Sequence, residues 1–267
     1  PYLSGKAETM VRPRTPAEQL FEQGHIHLST GAIHTVKPLE ADFPKGKLTV
    51  ITGVSGSGKT TLLNCVSTID RPTAGSIVID GRELTALRGK ELARFRRERL
   101  GFIFQDCNLL DTLTAGENIA LALSIVKAPA QEIDGRVKEM AGLLGISDCL
   151  NKYPYQMSGG QQQRCAAARA MVTRPALVLA DEPTGALDSK ASKNLLEIMT
   201  RMDRDMGATI LMVTHDAYSA SYAARVLFLK DGRLFHELLR GERGRPVFYH
   251  EVLDVLALLG GDVSDVI

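Results

Sequence analysis

Gly53-Val-Ser-Gly-Ser-Gly-Lys-Thr60 matches the phosphate-loop pattern of Gly, any four residues, Gly, Lys and Ser or Thr. The preceding run, Lys47-Leu-Thr-Val-Ile-Thr52, has the composition of a buried strand, and the following segment, Thr61-Leu-Leu-Asn-Cys-Val66, favours a helix. Because a helix N-terminus attracts anions, a strand, a glycine-rich loop and a helix in this order predict an α/β fold with a phosphate site at the start of the helix.

Each part of this loop has a predicted role. Glycines at 53, 56 and 58 let the backbone turn tightly and point its N–H groups at a phosphate. Lys59 is expected to reach the β- and γ-phosphates of a nucleotide, and the Thr60 hydroxyl to ligate Mg²⁺. The predicted nucleotide contacts are Gly53, Val54, Ser55, Gly56, Ser57, Gly58, Lys59, Thr60 and Thr61.

Length and composition narrow the class of protein. A chain of 267 residues, 44% of them hydrophobic, is long enough for one large α/β domain or a domain with a subdomain. The net charge of +1 gives no general attraction to nucleic acid or acidic membranes. No apolar run approaches the roughly 20 residues of a membrane helix. The four cysteines form no C-x-x-C pair, which disfavours zinc and a disulfide framework. We therefore predict a soluble protein of a reducing cytoplasm.

The distribution of apolar runs predicts an alternating α/β domain interrupted by a helical lobe. Residues 111–157 lack strand-like runs and favour helices, with Asp134–Leu144 amphipathic. Residues 82–99 carry seven basic and three acidic residues, a pattern that favours a solvated helix over a phosphate-backbone site, so no direct nucleic-acid partner is expected. Strands are predicted at 47–52, 76–80, 100–104, 176–180, 208–213 and 225–230.

The C-terminal segment predicts a helix over about 246–260. Its apolar residues would pack either on the core or on a partner, and the sequence leaves both alternatives open. They stand at 247, 248, 252, 253, 255, 256, 258 and 259.

Two further segments suit phosphate chemistry. Ser158-Gly-Gly-Gln-Gln162 precedes a helical pattern, so it predicts a second helix N-terminus with a hydroxyl cap and a second anion site. Asp181-Glu182 ends the apolar strand Leu177–Ala180. A buried carboxylate is costly without a cation, so Asp181 is expected to hold Mg²⁺. Glu182 is expected to face the attacking water as general base, the alternative being a surface acidic pair.

The order of these motifs resembles that of the ATP-binding cassette (ABC) ATPases. The likeness runs from about residue 47 to the C-terminus and rests on the phosphate loop, Gln105, Ser158–Gln162, Asp181-Glu182, Ala186-Leu187-Asp188 and His215. It implies an α/β P-loop NTPase core with an antiparallel β subdomain and a helical subdomain. The expected boundaries are an N-terminal extension at 1–24, the ATPase domain at 25–267, and the helical subdomain at about 106–165.

The resemblance also implies roles and partners. Gln105 would ligate Mg²⁺ or orient water, and His215 would contact the γ-phosphate, so Glu182, His215 and Gln105 are the expected catalytic residues. Thr60, Gln105 and Asp181 are the expected metal ligands. The segment Ser158–Gln162 corresponds to the family's signature motif. In this family the signature of one subunit closes over the ATP held by another, which implies a head-to-tail homodimer with two ATP molecules. The signature-side contacts would be Ser158, Gly159, Gly160, Gln161 and Asp188.

A narrower resemblance involves Gly101–Asn118, Asp181–Lys190 and the tail Phe248–Leu259, which look like the ATPase subunits of bacitracin-type antimicrobial peptide transporters. Such subunits pair with a membrane permease, which implies a position on the cytoplasmic face of the membrane. The lobe after Gln105 would dock the permease through a groove. The predicted docking residues are Leu109, Leu110, Leu113 and Thr114, and the alternative is that these side chains serve local packing.

Residues 1–58 depart from that pattern and resemble the stretch before a phosphate loop of the excinuclease A subunit. The alternative function is therefore a soluble DNA-repair ATPase, or a hybrid of the two. Transport ATPases usually stack an aromatic residue on adenine, and none lies between Phe21 and Phe43. Ile26 or His27 is therefore a predicted contact of the base.

Overall fold

The computed structural model describes residues 20–32 and 36–260, which form two β-sheets and eight α-helices. The strands are β1 (His25–Thr30), β2 (Leu39–Pro44), β3 (Leu48–Gly53), β4 (Gly75–Ile79), β5 (Arg82–Glu83), β6 (Leu100–Phe104), β7 (Leu177–Asp181), β8 (Ile210–Val213), β9 (Arg225–Lys230) and β10 (Arg233–Leu239). The helices are α1 (Lys59–Val66), α2 (Gly89–Arg99), α3 (Ala115–Ile125), α4 (Ala130–Leu143), α5 (Gly159–Met171), α6 (Ser189–Met206), α7 (Ala217–Ala220) and α8 (Arg245–Gly260).

The larger sheet has six strands in the order β10-β9-β3-β8-β7-β6. All of its pairs are parallel except β9 with β10. Strands β3 and β8 are buried along their whole length, as expected for parallel strands covered on both faces. The six strands predicted from apolar runs are all present, five of them in this sheet.

The smaller sheet, in the order β2-β1-β4-β5, is antiparallel and forms the β subdomain implied by the resemblance. The apolar runs of the sequence did not predict three of its strands, which are β1, β2 and β5. β1 alternates buried and more exposed residues, because one face covers the core and the other faces water. Ile26 and Leu28 are fully buried on its inner face.

The helical lobe consists of α3, α4 and the first part of α5, and it follows β6 directly. α3 begins with a capping box, in which the Thr114 hydroxyl accepts from the Glu117 N–H and the Glu117 carboxylate accepts from the Thr114 N–H. α5 continues past the predicted lobe boundary at 165 and ends at Met171, against the core. A Cβ at Gly101 of β6 would lie 2.4 Å from the Ala170 carbonyl oxygen, so glycine is what lets α5 approach the sheet this closely.

Helix α8 folds back onto the core and contacts α7 and β9. Its inner face buries Phe248, Val252, Val255 and Leu259. Within the described ranges, no helix combines the length and the apolar character that crossing a bilayer requires.

The topology brings the predicted site residues to one edge of the larger sheet. β3 runs into the phosphate loop, β7 ends at Asp181, and β8 is followed by Thr214 and His215. These strands are parallel, so their carboxyl ends lie at the same edge, where ligands bind in open α/β sheets.

Candidate nucleotide-binding site

A cavity of about 570 Å³ lies at this edge of the sheet. Its wall contains the complete phosphate loop, the acid after β7 and the histidine after β8, which are the predicted nucleotide and catalytic residues from three separate parts of the chain. It also contains one residue of α8 that no sequence motif indicated. The lining residues are Gly53, Val54, Ser55, Gly56, Ser57, Gly58, Lys59, Thr60, Thr61, Glu182, His215 and Leu256.

The glycines of the loop adopt backbone conformations that other residues rarely take. Gly53, Gly56 and Gly58 have φ angles of 151°, 77° and 96°. A Cβ at Gly53 would also lie 2.2 Å from the Leu229 carbonyl oxygen of β9. Both the left-handed conformation and the tight contact therefore require glycine at position 53.

Lys59 folds back over the loop. Its Nζ donates to the carbonyl oxygens of Gly53 and Val54, at 2.8 and 2.9 Å. Burial lowers the pKa of this ammonium group, and the nearby carboxylates of Glu182 and Asp181 oppose that shift. A cation held in the cavity wall beside the loop N–H groups is suited to binding phosphate.

Glu182 is fixed by hydrogen bonds from the segment after β8. Thr214 Oγ1 donates to its Oε2 at 2.9 Å, while the backbone N–H of His215 donates to Oε1 at 3.0 Å. His215 Nδ1 lies 2.7 Å from the same oxygen, so the imidazole donates its Nδ1 proton there. The backbone at Glu182 has φ 44°, in the left-handed region that residues other than glycine rarely adopt. Glu182 therefore faces the cavity in a defined orientation.

Asp181 is the carboxylate next to Glu182. Burial raises its pKa, the charge of Glu182 raises it further, and Lys59 opposes the shift. No hydrogen bond from the part of the chain that the structure describes reaches this carboxylate, although it stands at the end of a buried strand. A half-buried carboxylate without a donor fits a cation ligand, and one carboxylate with hydroxyl and amide oxygens suits Mg²⁺.

Gln105 follows β6, beside the acidic pair, because Phe104 is paired with Asp181 in the sheet. Its carboxamide lies against Gly185, where an added Cβ would meet the Gln105 Cδ at 3.0 Å. Gln105 is exposed and is not part of the wall of the phosphate-loop cavity. The structure thus brings Gln105 to the loop that follows Glu182 and not to the phosphate loop itself.

The signature residues line a different cavity, of about 310 Å³. Ser158 caps α5: its hydroxyl accepts from the Gln161 N–H at 3.3 Å, and the Gln161 carboxamide accepts from the Ser158 N–H at 2.9 Å. Asp188 caps α6 by accepting from the Ala191 N–H at 2.8 Å. The side chains of Gln161 and Asp188 are therefore used in local capping. The lining residues are Ser158, Gly159, Gly160, Arg164, Ala186, Leu187, Asp188, Lys190, Ala191 and Asn194.

The two cavities share no lining residue, so one chain carries two separate half-sites. Gly160 is required where α5 meets α6, since a Cβ there would lie 2.9 Å from the Ala191 Cβ. The close contact fixes the signature relative to Asp188.

Ile26 and His27, one of which was expected to contact the base, do not line the nucleotide cavity. Ile26 is fully buried between the sheets. His27 Nδ1 lies 2.7 Å from Asp42 Oδ1 on the neighbouring strand, and His27 does not line the cavity. The sequence analysis also did not identify Thr214 and Leu256, because neither belongs to a recognised motif. Only the folded structure places Thr214 against Glu182 and Leu256 in the cavity wall.

Comparisons with known proteins agree with this geometry. A sequence profile described as ABC transporter matches residues 36–185. The ABC transporter ATP-binding protein YxdL of Bacillus subtilis (strain 168) is 52% identical over 230 residues, which cover 86% of this chain and 89% of the relative. The bacitracin export ATP-binding protein BceA of Halalkalibacterium halodurans is 47% identical over 250 residues, covering 92% of this chain and 99% of the relative.

Among solved structures, the dimeric post-hydrolysis state of the ATP-binding cassette MJ0796 bound to ADP and Pi superimposes with a TM-score of 0.70 at 36% identity, covering 80% of this chain and 95% of that one. The alignment with BceA is too long to begin after residue 58 and covers more than half of residues 1–58. The excinuclease-like alternative therefore has no support. The motifs, the fold and these relatives together show that the chain belongs to the ABC transporter family, as an ATP-binding ATPase subunit.

Proposed function

We propose that this chain hydrolyses ATP as a head-to-tail homodimer and so drives a membrane permease that exports cell-wall-active antimicrobial peptides. The observation that carries the proposal is the division of the phosphate-handling residues into two half-sites that share no residue. Each half-site needs a complement, and a second copy supplies it at both sites at once. The dimeric MJ0796 structure, similar over most of its length, supports this assembly.

The residues of the first half-site divide the reaction among themselves. Lys59 and the loop N–H groups hold the β- and γ-phosphates. Thr60, Asp181 and Gln105 would hold Mg²⁺, which would neutralise charge on the phosphate oxygens.

Glu182 acts as general base on the attacking water, and His215 meets the γ-phosphate. The Thr214 hydroxyl and the His215 backbone N–H hold the Glu182 carboxylate toward the cavity, at 2.9 and 3.0 Å. His215 Nδ1 donates a hydrogen bond to the Glu182 carboxylate, so Nε2 of the same ring donates to a phosphate oxygen only when it also carries a proton. As general base, Glu182 accepts the proton of the attacking water.

The second half-site contributes binding. Ser158, Gly159 and Gly160 present the first turn of α5 to the γ-phosphate of the partner's ATP, where the N–H groups and the helix dipole favour negative charge. Hydrogen bonds to the side chains of Gln161 and Asp188 hold the backbone at the N-termini of α5 and α6 in place.

The permease surface is proposed beside β6. A groove of about 430 Å³ lies between α2, β6, α3 and α5, and its floor includes the stacked rings of Phe102 and Phe104, whose centroids are 5.8 Å apart. Three arginines lie along it, so it suits an amphipathic helix with acidic residues. They are Arg96, Arg97 and Arg169. Because β6 leads into Gln105, a helix in this groove would sense the nucleotide state.

The loop before α3 extends this surface. Fully buried Asn118 holds it, with its Nδ2 donating to the carbonyl oxygens of Leu110, Leu113 and Thr114 at 3.0 to 3.1 Å. Leu110 is 47% exposed on the outside of this rigid loop. Docking there would keep the chain at the cytoplasmic face of the membrane as a peripheral subunit. Peptide export is inferred from the likeness to BceA along almost its whole length.

The test is Leu110→Glu, with Leu143→Glu as the matched control. Leu143 is 44% exposed and is the last residue of α4 in the same lobe. Leu110→Glu is expected to keep the basal ATPase of the purified subunit but to abolish co-purification with the permease and resistance to bacitracin-type peptides in cells, while Leu143→Glu keeps all three. Full resistance in the Leu110→Glu strain would contradict the docking surface, and a fall in basal activity would show that Leu110 serves local packing.

A further inference from the structure

The hydroxyl groups of Thr184, Thr214 and Ser219 are buried near Glu182. Thr214 and Ser219 are fully buried, and Thr184 is 8% exposed. These residues line neither the phosphate-loop cavity nor the signature cavity. A buried hydroxyl normally has a hydrogen-bond partner, so the acceptors of these groups indicate which segments of the chain they hold together.

Each hydrogen bond around Ser219 has a defined direction. The Ser219 hydroxyl donates to Asp216 Oδ2 at 2.6 Å, so its single proton is used there. Thr184 Oγ1 lies 3.0 Å from Ser219 Oγ, and Thr184 is therefore the donor in that contact. The Asp216 carboxylate also accepts from the backbone N–H groups of Tyr218 and Ser219, at 3.0 and 2.9 Å. Thr184 is thereby tied to the start of α7.

A second set of hydrogen bonds runs from Asp216 to Glu182. The backbone N–H of Asp216 donates to Thr214 Oγ1 at 3.1 Å, and the Thr214 hydroxyl donates to Glu182 Oε2 at 2.9 Å. Because Thr184 is two residues after Glu182, the two sets of bonds close a ring between the segment after β7 and the segment after β8. We call Thr184, Asp216 and Ser219 the polar clasp.

The orientation of Glu182 depends on how these two segments lie relative to each other. Its backbone belongs to the segment after β7, whereas the groups that bind its carboxylate, the Thr214 hydroxyl and the His215 N–H, belong to the segment after β8. A shift of one segment against the other would therefore change where the carboxylate points. A misplacement of about 1 Å in a catalytic site can cost about 10²-fold in rate.

We propose that Thr184 and Ser219 are positioning residues for ATP hydrolysis, which act on the reaction through Glu182. The inference rests on the role of Glu182 as general base in the proposed function. The observation that carries it is a ring of buried hydrogen bonds in which each hydroxyl proton has an acceptor, since a network of this kind is rigid while it is complete. Loss of the Ser219 hydroxyl would remove the acceptor of Thr184 and one donor to Asp216, and so open the ring.

The test is steady-state ATP hydrolysis by Ser219→Ala in the full chain, with Ser221→Ala as the matched control. Ser221 is also a fully buried serine beside α7, but its hydroxyl donates to the Tyr218 carbonyl oxygen at 2.6 Å and not to the polar clasp. Ser219→Ala is expected to lower kcat about 10-fold and to change KM for ATP by less than about 2-fold, because the phosphate loop is untouched. Ser221→Ala is expected to keep both values within about 2-fold of the parent.

Two variants at the other end of the polar clasp separate the hydroxyl from packing, and they decide the question even if Ser219→Ala does not fold. Thr184→Val keeps the branched shape but removes the hydroxyl, so it should lose kcat about as strongly as Ser219→Ala. Thr184→Ser keeps the hydroxyl and should hold kcat within about 3-fold of the parent. An equal loss in the valine and serine variants would show that the methyl group matters and would overturn the proposal.

Combination with Glu182→Gln separates this inference from the proposed function. Where the base is absent its orientation no longer matters, so in the Glu182→Gln chain Ser219→Ala is expected to change single-turnover hydrolysis by less than about 2-fold. Equal losses in the two backgrounds would exclude the positioning role alone. If Glu182→Gln itself leaves turnover near the parent value, the mechanism of the proposed function fails, and this inference fails with it.

Discussion

The chain has two helices whose N-termini are built to face phosphate, and the two begin differently. α1 starts after Gly58, which has φ 96° and no side chain, so the N–H donors of its first turn have no side-chain cap. α5 starts after Ser158, whose hydroxyl and backbone N–H form a capping box with Gln161. The N–H donors in the first turn of α1 are therefore left for a ligand, whereas side chains already cap the first turn of α5 before any ligand binds.

The ionisable groups are divided in the same way. Lys59, Asp181, Glu182 and His215 all lie at the phosphate-loop half-site, and the pKa values of Lys59 and Asp181 are both shifted by burial. At the signature half-site, Asp188 serves as a helix cap, and the other charged residues in the cavity wall are Arg164 and Lys190. The proposed function therefore assigns chemistry to one half-site and closure to the other, and the following four predictions test this division.

The largest expected effect is at the base. Glu182→Gln should lower ATP turnover by about 10²-fold or more, because an amide cannot accept the proton from water, and should leave ATP binding intact. The measurement is steady-state phosphate release, together with an ATP-dependent dimer in gel filtration. Glu197→Gln on α6 is the control for removal of a carboxylate. Turnover within a factor of two of the parent would remove Glu182 from the mechanism.

The second prediction separates the half-sites between two chains. Lys59→Ala and Ser158→Arg are each expected to be inactive, because each damages one half of every composite site. Mixed in equal amounts, they form heterodimers with one intact site, so activity should return to about a quarter of the parent value if the sites fire independently. Recovery should require both chains and ATP. Strong activity in either variant alone would show that one chain contains a complete site.

The third prediction concerns the cost to folding of the carboxylate proposed to bind Mg²⁺, Asp181. The pKa of Asp181 is raised in the folded chain, so the folded state binds a proton more readily than the unfolded state. Folding stability then falls as the pH rises through the interval above 3.8, and the loss persists at neutral pH. Asp181→Asn should therefore raise the melting temperature of the nucleotide-free chain, by an amount that grows with pH, while it abolishes Mg²⁺-dependent hydrolysis.

Asp254→Asn, on the exposed flank of α8, is the control for the third prediction and should change the melting temperature little. If Asp181→Asn melts below the parent at neutral pH, the attraction between Asp181 and Lys59 outweighs the burial of the carboxylate.

The smallest effect is expected at the cap of the signature helix. Ser158→Ala removes the hydroxyl that accepts from Gln161 and should lower the free energy of unfolding by about 1 kcal/mol, or the melting temperature by about 2–4 °C for a domain of this size. Ser158→Thr keeps a hydroxyl and should stay closer to the parent. Equal melting temperatures for parent and alanine variant would mean that the capping box does not stabilise the signature.

The sequence predicted the parallel sheet well because its strands are buried on both faces and appear as continuous apolar runs. It did not predict β1 or β10. β1 alternates between core and solvent, and much of β10 is exposed at the sheet edge, so neither has such a run. The phosphate loop, Asp181 and Glu182 were identifiable because a fixed local spacing serves their chemistry.

Other parts of the site depend on contacts between distant segments. Leu256 is more than 190 positions after the phosphate loop in the sequence and reaches the cavity only because α8 folds back onto the core. Thr214 can bind Glu182 only because β8 lies beside β7. The sequence also did not predict that Gln161 caps its own helix, because Gln161 was expected to contact the nucleotide. Sequence spacing cannot separate a side chain that turns inward to its own helix from one that turns outward.

The contact between Gly101 and Ala170 fixes where α5 ends relative to β6. Its last turn is held against β6 by backbone atoms, with no side chain between them to absorb movement. The helix has 13 residues, so the signature stands about 18 Å from this pivot. A rotation of about 10° at Gly101 would carry Ser158 by about 3 Å, the length of a hydrogen bond. Any such rotation would have to carry α6 with it, because Gly160 packs closely against Ala191 of that helix.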